Sequence, residues 1–245
     1  MELADLIPKE EDIEYISYKE IEESDDILLW EKFYDYDHFV RNMKHSHISR
    51  INPSHRRYFP PRGAPIIPYN RERFFVDSNI VKKGKIVDVG CNTGAFLMYL
   101  HEQGYDRLWG VDCSRRVLDV ADFLAKERDM NIAWIWSMAH KLPFRDNEFT
   151  TLHAANLLEH LLDPQIFLKE VFRVLEVSGA FIGDVPLIVK LDEAEKDTGH
   201  LVSFDMNSLA VLLRKFFTNV FVKRLSGTNP DGGLDTLVFS CVKPK

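Results

Sequence analysis

Lys85-Ile-Val-Asp-Val-Gly-Cys-Asn-Thr-Gly94 is the stretch whose reading decides the fold. A short apolar run breaks into a glycine-containing turn, and the chain then continues at helical spacing to Gln103, where Gly104 stops it. A second apolar run, Leu108-Trp-Gly-Val-Asp112, ends in a carboxylate eighteen residues after Gly94. Strand, turn, helix, strand and terminal acid make a unit that receives the adenosine end of a nucleotide-like cofactor at the carboxyl ends of parallel strands.

Outward from this unit, strands alternate with helices. Strands are expected at 85–89, 107–112, 132–136, 149–155 and 180–185. Ser114 is the expected cap of a helix carrying Val117, Leu118, Ala121, Leu124 and Ala125 on one face. Asp163-Pro164 starts another helix, with proline in the first turn, and Asp205 caps a third. Two closing β runs, 219–225 and 234–242, flank a Gly/Asn/Pro-rich loop. The pattern predicts an α/β, Rossmann-like, doubly wound sheet of seven strands, mostly parallel, with an antiparallel C-terminal hairpin. Residues 1–75 read as an N-terminal extension, a lid or substrate-recognition segment, and 76–245 as the cofactor-binding domain.

The extension is segregated by charge. Residues 1–37 hold fourteen acids and three lysines, whereas 41–73 hold eight Lys/Arg and one acid, Glu72. Such a pattern fits an acidic helical arm near a basic segment of its own chain. It also fits Arg50, Arg56, Arg57 and Arg62 meeting an anionic substrate. Trp30, Phe33, Tyr34, Tyr36 and Phe39 crowd the end of the arm, as packing residues or as a hydrophobic face. The tract Phe59-Pro-Pro-Arg-Gly-Ala-Pro-Ile-Ile-Pro68 is no regular helix and reads as a linker or lid.

Composition narrows the class. The chain has 245 residues, 45% of them hydrophobic, and a net charge of −7, which disfavours a general nucleic-acid binder. No apolar run reaches the roughly 20 residues of a membrane span. The acidic N-terminus lacks a basic-then-apolar leader, so a cytoplasmic setting is expected. Cys91, Cys113 and Cys241 have no metal or disulfide spacing, and His45, His47 and His55 have no ligand pattern, so no metal is expected.

The turn itself rejects strict dinucleotide binding. Glycine at the first, third and sixth positions would be required, and Gly90, Asn92 and Ala95 stand there. Further along, Leu142-Pro-Phe144, Leu158-Glu-His160, Asp163-Pro164 and Arg173-Val-Leu175 with Gly179 follow in order. Together with the first turn, these segments resemble the class I S-adenosylmethionine-dependent methyltransferases of the type-11 branch, over about residues 70 to 245. The resemblance implies S-adenosylmethionine as cofactor. Asp88, Gly90, Cys91, Asn92 and Gly94 would surround its methionine end. Asp112 would hold the ribose hydroxyls, with Cys113 beside the adenine. Ser137-Met138-Ala139 stands where the family has Gly-Asp-Ala, so Met138 replaces the acid that accepts from the adenine amino group. Thr150 and Val177-Ser178-Gly179 also depart from the family pattern. Asn156 would line the cofactor tail.

Displacement at a sulfonium carbon expels neutral sulfur and needs no acid. A base is needed only for an acceptor with a proton of high pKa, and the candidates are His160 and His200. The expected function is methyl transfer to oxygen or nitrogen of a small molecule or glycan-type acceptor. Two alternatives stand beside it: a protein or RNA methyltransferase using the basic segment, and a catalytically silent cofactor-binding module.

Overall fold

In a computed structural model, residues 6, 8, 12–16, 18–21, 24, 26–36, 65–66, 70–187, 200–226 and 235–245 are described. The elements are α1 (Tyr18–Ile21), α2 (Ile27–Tyr36), α3 (Asn70–Asp77), β1 (Ile86–Val89), α4 (Ala95–Glu102), β2 (Leu108–Asp112), α5 (Arg115–Lys126), β3 (Ala133–Trp136), β4 (Phe149–Ala155), a 3₁₀ turn (Leu158–His160), α6 (Pro164–Val174), β5 (Leu175–Pro186), α7 (Met206–Arg214), β6 (Thr218–Leu225) and β7 (Thr236–Val242). The strands form one seven-stranded sheet in the order β3-β2-β1-β4-β5-β7-β6. Pairing is parallel from β1 to β4 and from β4 to β5. It turns antiparallel only where β7 meets β5 and β6. This is the expected fold class.

By internal contacts the chain divides into two compact units, residues 1–68 with 91–138, and residues 69–90 with 139–245. In the first, α5 turns Val117, Val120, Ala121 and Ala125 inward. Ser114 caps that helix, its Oγ accepting from Val117 N at 3.2 Å. The arm forms a small core of Ile16, Ile21, Trp30 and Phe33, so the packing reading holds for Trp30 and Phe33. In the second unit, Phe149, Phe167, Phe181 and Phe239 are fully buried, and the rings of Phe181 and Phe239 meet edge-on at 5.0 Å.

Strand β5 is longer than expected. Leu175 leaves α6 directly into a pairing with Phe149, and the ladder then shifts register before Thr151 meets Ala180. The shift falls at Ser178 (φ 63°) and Gly179, where a Cβ would come within 2.8 Å of the Glu176 carbonyl oxygen. Arg50, Arg56, Arg57, Arg62, His45, His47, His55, Phe39 and most of the proline tract lie outside the described residues, as does the loop at 227–234.

Candidate functional site

Within the first unit, the loop after β1 and the end of β2 are joined through Asp112. Asn92 N donates to Asp112 Oδ2 and Ser114 N to Asp112 Oδ1, both at 3.0 Å. Cys91 N donates to the Val111 carbonyl, also at 3.0 Å. Asn92 takes the left-handed conformation (φ 50°), and its Oδ1 accepts from Thr93 N at 2.7 Å. Asp112 thus holds the loop after β1 with one carboxylate oxygen and the Ser114 amide with the other. Burial and the Asp112 charge push the neighbouring Cys113 thiol well up, which keeps it a neutral, inert thiol.

Helix α4 begins at Gly94 (φ 75°), with no side chain capping its first amides. Those amides are donors for an anion. A Cβ on Gly94 would stand 2.3 Å from the Trp134 ring, and one on Gly110 2.5 Å from it, so Trp134 fills the space that both glycines leave. Trp136 Nε1 donates to the Cys113 carbonyl at 2.8 Å, and the Arg115 guanidinium covers its ring at 3.5 Å. Met138 packs on the arm's apolar cluster with Leu29 and Tyr34.

The arm is anchored by its acids. Asp35 is buried. Its Oδ1 accepts from Ser114 Oγ at 2.5 Å, and its Oδ2 pairs with Arg116 at 3.0 Å. Glu31 accepts from Arg115 N at 2.8 Å, at the start of α5. The acidic arm thus meets Arg115 and Arg116.

Within the second unit, Asp88 lies opposite His153 on the neighbouring strand, and His153 Nδ1 is 2.7 Å from Asp88 Oδ1. Burial alone would lower the His153 pKa, but Asp88, Asp184 and Glu72 outweigh it and raise it. Arg71, from α3, reaches Asp184 Oδ2 at 3.0 Å with both side chains buried. Burial raises the Asp184 carboxyl, against the opposing pull of Arg71 and His153. Burial raises Glu72 to about 7. Asn156 (φ 47°) belongs to this network. With its amide oxygen turned toward the guanidinium, it accepts from Arg71 and donates to Asp184 Oδ1, each at 3.2 Å. Gly90 (φ 72°) leaves room for Leu157, which would stand 3.3 Å from a Cβ. Ala139 begins the stretch of this unit that leads to Leu142.

His160 and His200 are brought together, with ring centroids 4.9 Å apart. The Glu159 carbonyl accepts from Leu201 N at 2.7 Å and Val202 N at 3.1 Å, which pins the segment after His200 to the 3₁₀ turn.

A methyltransferase domain family matches residues 87–183. Residues 87–183 carry a methyltransferase domain of the type-11 branch. An uncharacterized methyltransferase of Schizosaccharomyces pombe is 33% identical over 111 residues, 41% of this chain and 39% of that protein. A tRNA U34 carboxymethyltransferase of Sulfurovum is 32% identical over 43% of this chain and 36% of its own length. The chain therefore spans well under two thirds of these relatives. Among solved structures, a Pyrococcus horikoshii protein matches with a TM-score of 0.58 at 23% identity, over 71% of this chain and 87% of that one. Haemonchus contortus phosphoethanolamine N-methyltransferase 2 matches with a TM-score of 0.61 at 15% identity, over 77% and 55%. The structural matches establish the fold.

The cofactor of this methyltransferase family is S-adenosylmethionine, and the residues of the first unit fit it. Asp112 is a carboxylate at the end of β2, the acceptor type that a diol requires, and the start of α4 has no side-chain cap on its amides. Trp134, Trp136, Asp35 and the buried pair Arg71–Asp184 went unremarked in the sequence reading. The tryptophans carried a signal, since they alternate on β3 and face one side together. Among the described residues, no helix is long and apolar enough to cross a membrane.

Proposed function

We propose that the chain transfers a methyl group from S-adenosylmethionine to an oxygen or nitrogen of a small-molecule or glycan-type acceptor. The observation that carries the acceptor side is the pairing of His160 with His200 at 4.9 Å, beside an unusually buried acid, Glu159. Asp88, Gly90, Cys91, Asn92 and Gly94 hold the methionine end. Asp112 holds the ribose hydroxyls; Cys113, Met138 and Ala139 lie beside the adenine, and Asn156 lines the tail. The bond to His153 uses Asp88 Oδ1, which leaves Oδ2 as the atom offered. In this reading residues 1–75 are an N-terminal extension serving as lid or substrate-recognition segment.

When bound, the cofactor supplies an electrophilic methyl on a sulfonium sulfur that leaves neutral. The chain's own task is to hold the acceptor atom about 3 Å from the reacting carbon, in line. Where that atom carries a proton of high pKa, an imidazole nitrogen of His160 or His200 accepts it. The relative from Sulfurovum acts on tRNA, which keeps an RNA acceptor as the second reading. That reading demands salt-sensitive binding, and failure to bind RNA at low salt ends it.

Calorimetry with S-adenosylmethionine and S-adenosylhomocysteine tests the cofactor. Incubation of labelled cofactor with fractionated metabolites tests the acceptor. If neither cofactor form binds, the proposal fails.

A further inference from the structure

We infer that Glu159, His160 and His200 form a binding site for one first-row divalent transition-metal ion. Three observations carry this. First, one ligand atom from each residue lies within 4.8 Å of the others. Second, Glu159 is 1% exposed, and neither carboxylate oxygen has a hydrogen-bond partner from another residue among the described residues. Its nearest imidazole nitrogen, His160 Nε2, stands at 3.9 Å, too far for a hydrogen bond and suited to two atoms sharing a cation between them. Third, the backbone holds the group together: Leu201 and Val202 amides both close on the Glu159 carbonyl, which keeps His200 beside the 3₁₀ turn that presents the other two residues.

A buried carboxylate without partners costs several kcal/mol by its nature, and proteins neutralise such a group by protonation, pairing or a metal. Arg71, whose charge acts on Glu159, is engaged with Asp184 at 3.0 Å. Burial pushes the Glu159 carboxyl well up against the opposing pull of Arg71, so its ionised form calls for a nearer counter-charge. A divalent ion between Glu159 and two neutral imidazoles supplies that charge. At metal–nitrogen and metal–oxygen distances of about 2.0–2.2 Å, ligand atoms lie roughly 3–4.2 Å apart. A small rotation of the half-exposed His200 ring closes the remaining gap.

The donor set selects the metal. Two imidazoles with one carboxylate suit zinc, manganese or ferrous iron, whereas magnesium and calcium prefer oxygen donors alone. Three protein ligands leave at least one position open to water or to an acceptor oxygen. The inference concerns the corner where an acceptor is proposed to sit, yet it requires neither cofactor nor methyl transfer.

The test uses tag-free full-length protein stripped with chelator and titrated calorimetrically with zinc alone. One equivalent of zinc should bind, and His160→Gln and His200→Gln should each weaken it by about tenfold or more. His200→Gln is the deciding variant, because a half-exposed side chain on an irregular segment is replaced without disturbing the core. Manganese provides a second readout by broadening the imidazole proton resonances assigned through the two variants. If the His160→Gln/His200→Gln double variant takes up zinc as tightly as the wild type, the site lies elsewhere and the inference falls. It falls equally if the wild type binds no zinc, or if manganese leaves those two resonances sharp. S-adenosylhomocysteine titrated into the same sample separates the two ideas: if it binds while zinc does not, the metal site falls and the methyltransferase reading stands.

Discussion

The amide of Asn92 donates to Oδ2 of Asp112 at 3.0 Å, so the cofactor loop and the acid that ends the next strand are a single hydrogen-bonded object. Asp112 orders the loop, and in the proposed function it also meets the ribose hydroxyls. Replacement by alanine removes both. A hydrogen bond to a charged group is worth about 1.5–3 kcal/mol, so Asp112→Ala should weaken S-adenosylhomocysteine binding about tenfold or more. Calorimetry reads this directly, and unchanged affinity would contradict the assignment.

Gly94 is constrained twice, by φ 75° and by Trp134, which a Cβ would meet at 2.3 Å. Gly94→Ala should therefore cost about 2 kcal/mol, lowering the melting temperature by roughly 4–8 °C. Adding Trp134→Leu should recover part of the loss, since it relieves the clash and leaves the backbone strain. A double variant no more stable than Gly94→Ala alone would show that Trp134 is not the obstacle.

The strand-turn-helix at 85–94 was legible because an unbroken apolar run meets a glycine turn, a pattern with few other solutions. The later motifs were legible as family marks, and the structure gives them a physical reason. Arg173 donates to the Phe144 carbonyl at 2.7 Å and the Leu142 carbonyl at 2.9 Å, while Glu170 accepts from Leu142 N at 2.9 Å. Leu-Pro-Phe and Arg-Val-Leu are thus one clamp on the segment before β4. What stayed illegible is charge turned inward. Hydrophobic periodicity says nothing of ions such as Arg71 and Asp184 that pair across different elements. Asn156 was expected beside the cofactor, and its tie to Arg71 and Asp184 depends on a helix sixty residues and more away in sequence.

His200 should matter to turnover more than to cofactor binding. If it takes the acceptor's proton, His200→Ala should lower kcat by about 10²-fold or more and leave S-adenosylhomocysteine affinity within a few-fold. Steady-state kinetics on the accepted substrate, set beside calorimetry, separates the two effects. Loss of cofactor affinity with kcat intact would refute a role on the acceptor side.

Glu72 gives stability a defined pH dependence. Its folded pKa, about 7, lies above the ordinary 4.5 because the carboxyl is buried. A raised folded pKa means that the folded state holds the proton more tightly, so this stabilising contribution is complete below 4.5 and is lost as pH rises toward 7. His153, also raised, acts in the same direction from its ordinary value of 6.5 upward. Glu72→Gln cannot ionise and should remove the first of these losses. In urea unfolding, the variant should gain on the wild type between pH 4.5 and 7 by on the order of 3 kcal/mol, the free energy of a pKa raised from 4.5 to about 7. Parallel curves for the two proteins would mean that Glu72 is ionised at no cost.

Asp35 is the arm's main attachment to the start of α5. Its carboxylate is 7% exposed and serves Ser114 Oγ at 2.5 Å and Arg116 at 3.0 Å, while Ser114 also caps the helix. Removing it strands a buried hydroxyl and releases a half-exposed guanidinium, at a cost of roughly 1.5–3 kcal/mol. The loss should be local. Asp35→Ala should speed amide exchange across α2 (Ile27–Tyr36) by about tenfold or more while α6 and β5 stay protected, because opening of the arm leaves the second unit's core intact. Trp30, buried in the arm's own cluster, should become more accessible to a fluorescence quencher in the same variant. Uniform loss of protection throughout the chain would mean that the arm does not open separately, and unchanged exchange in α2 would mean that its apolar cluster alone holds it down.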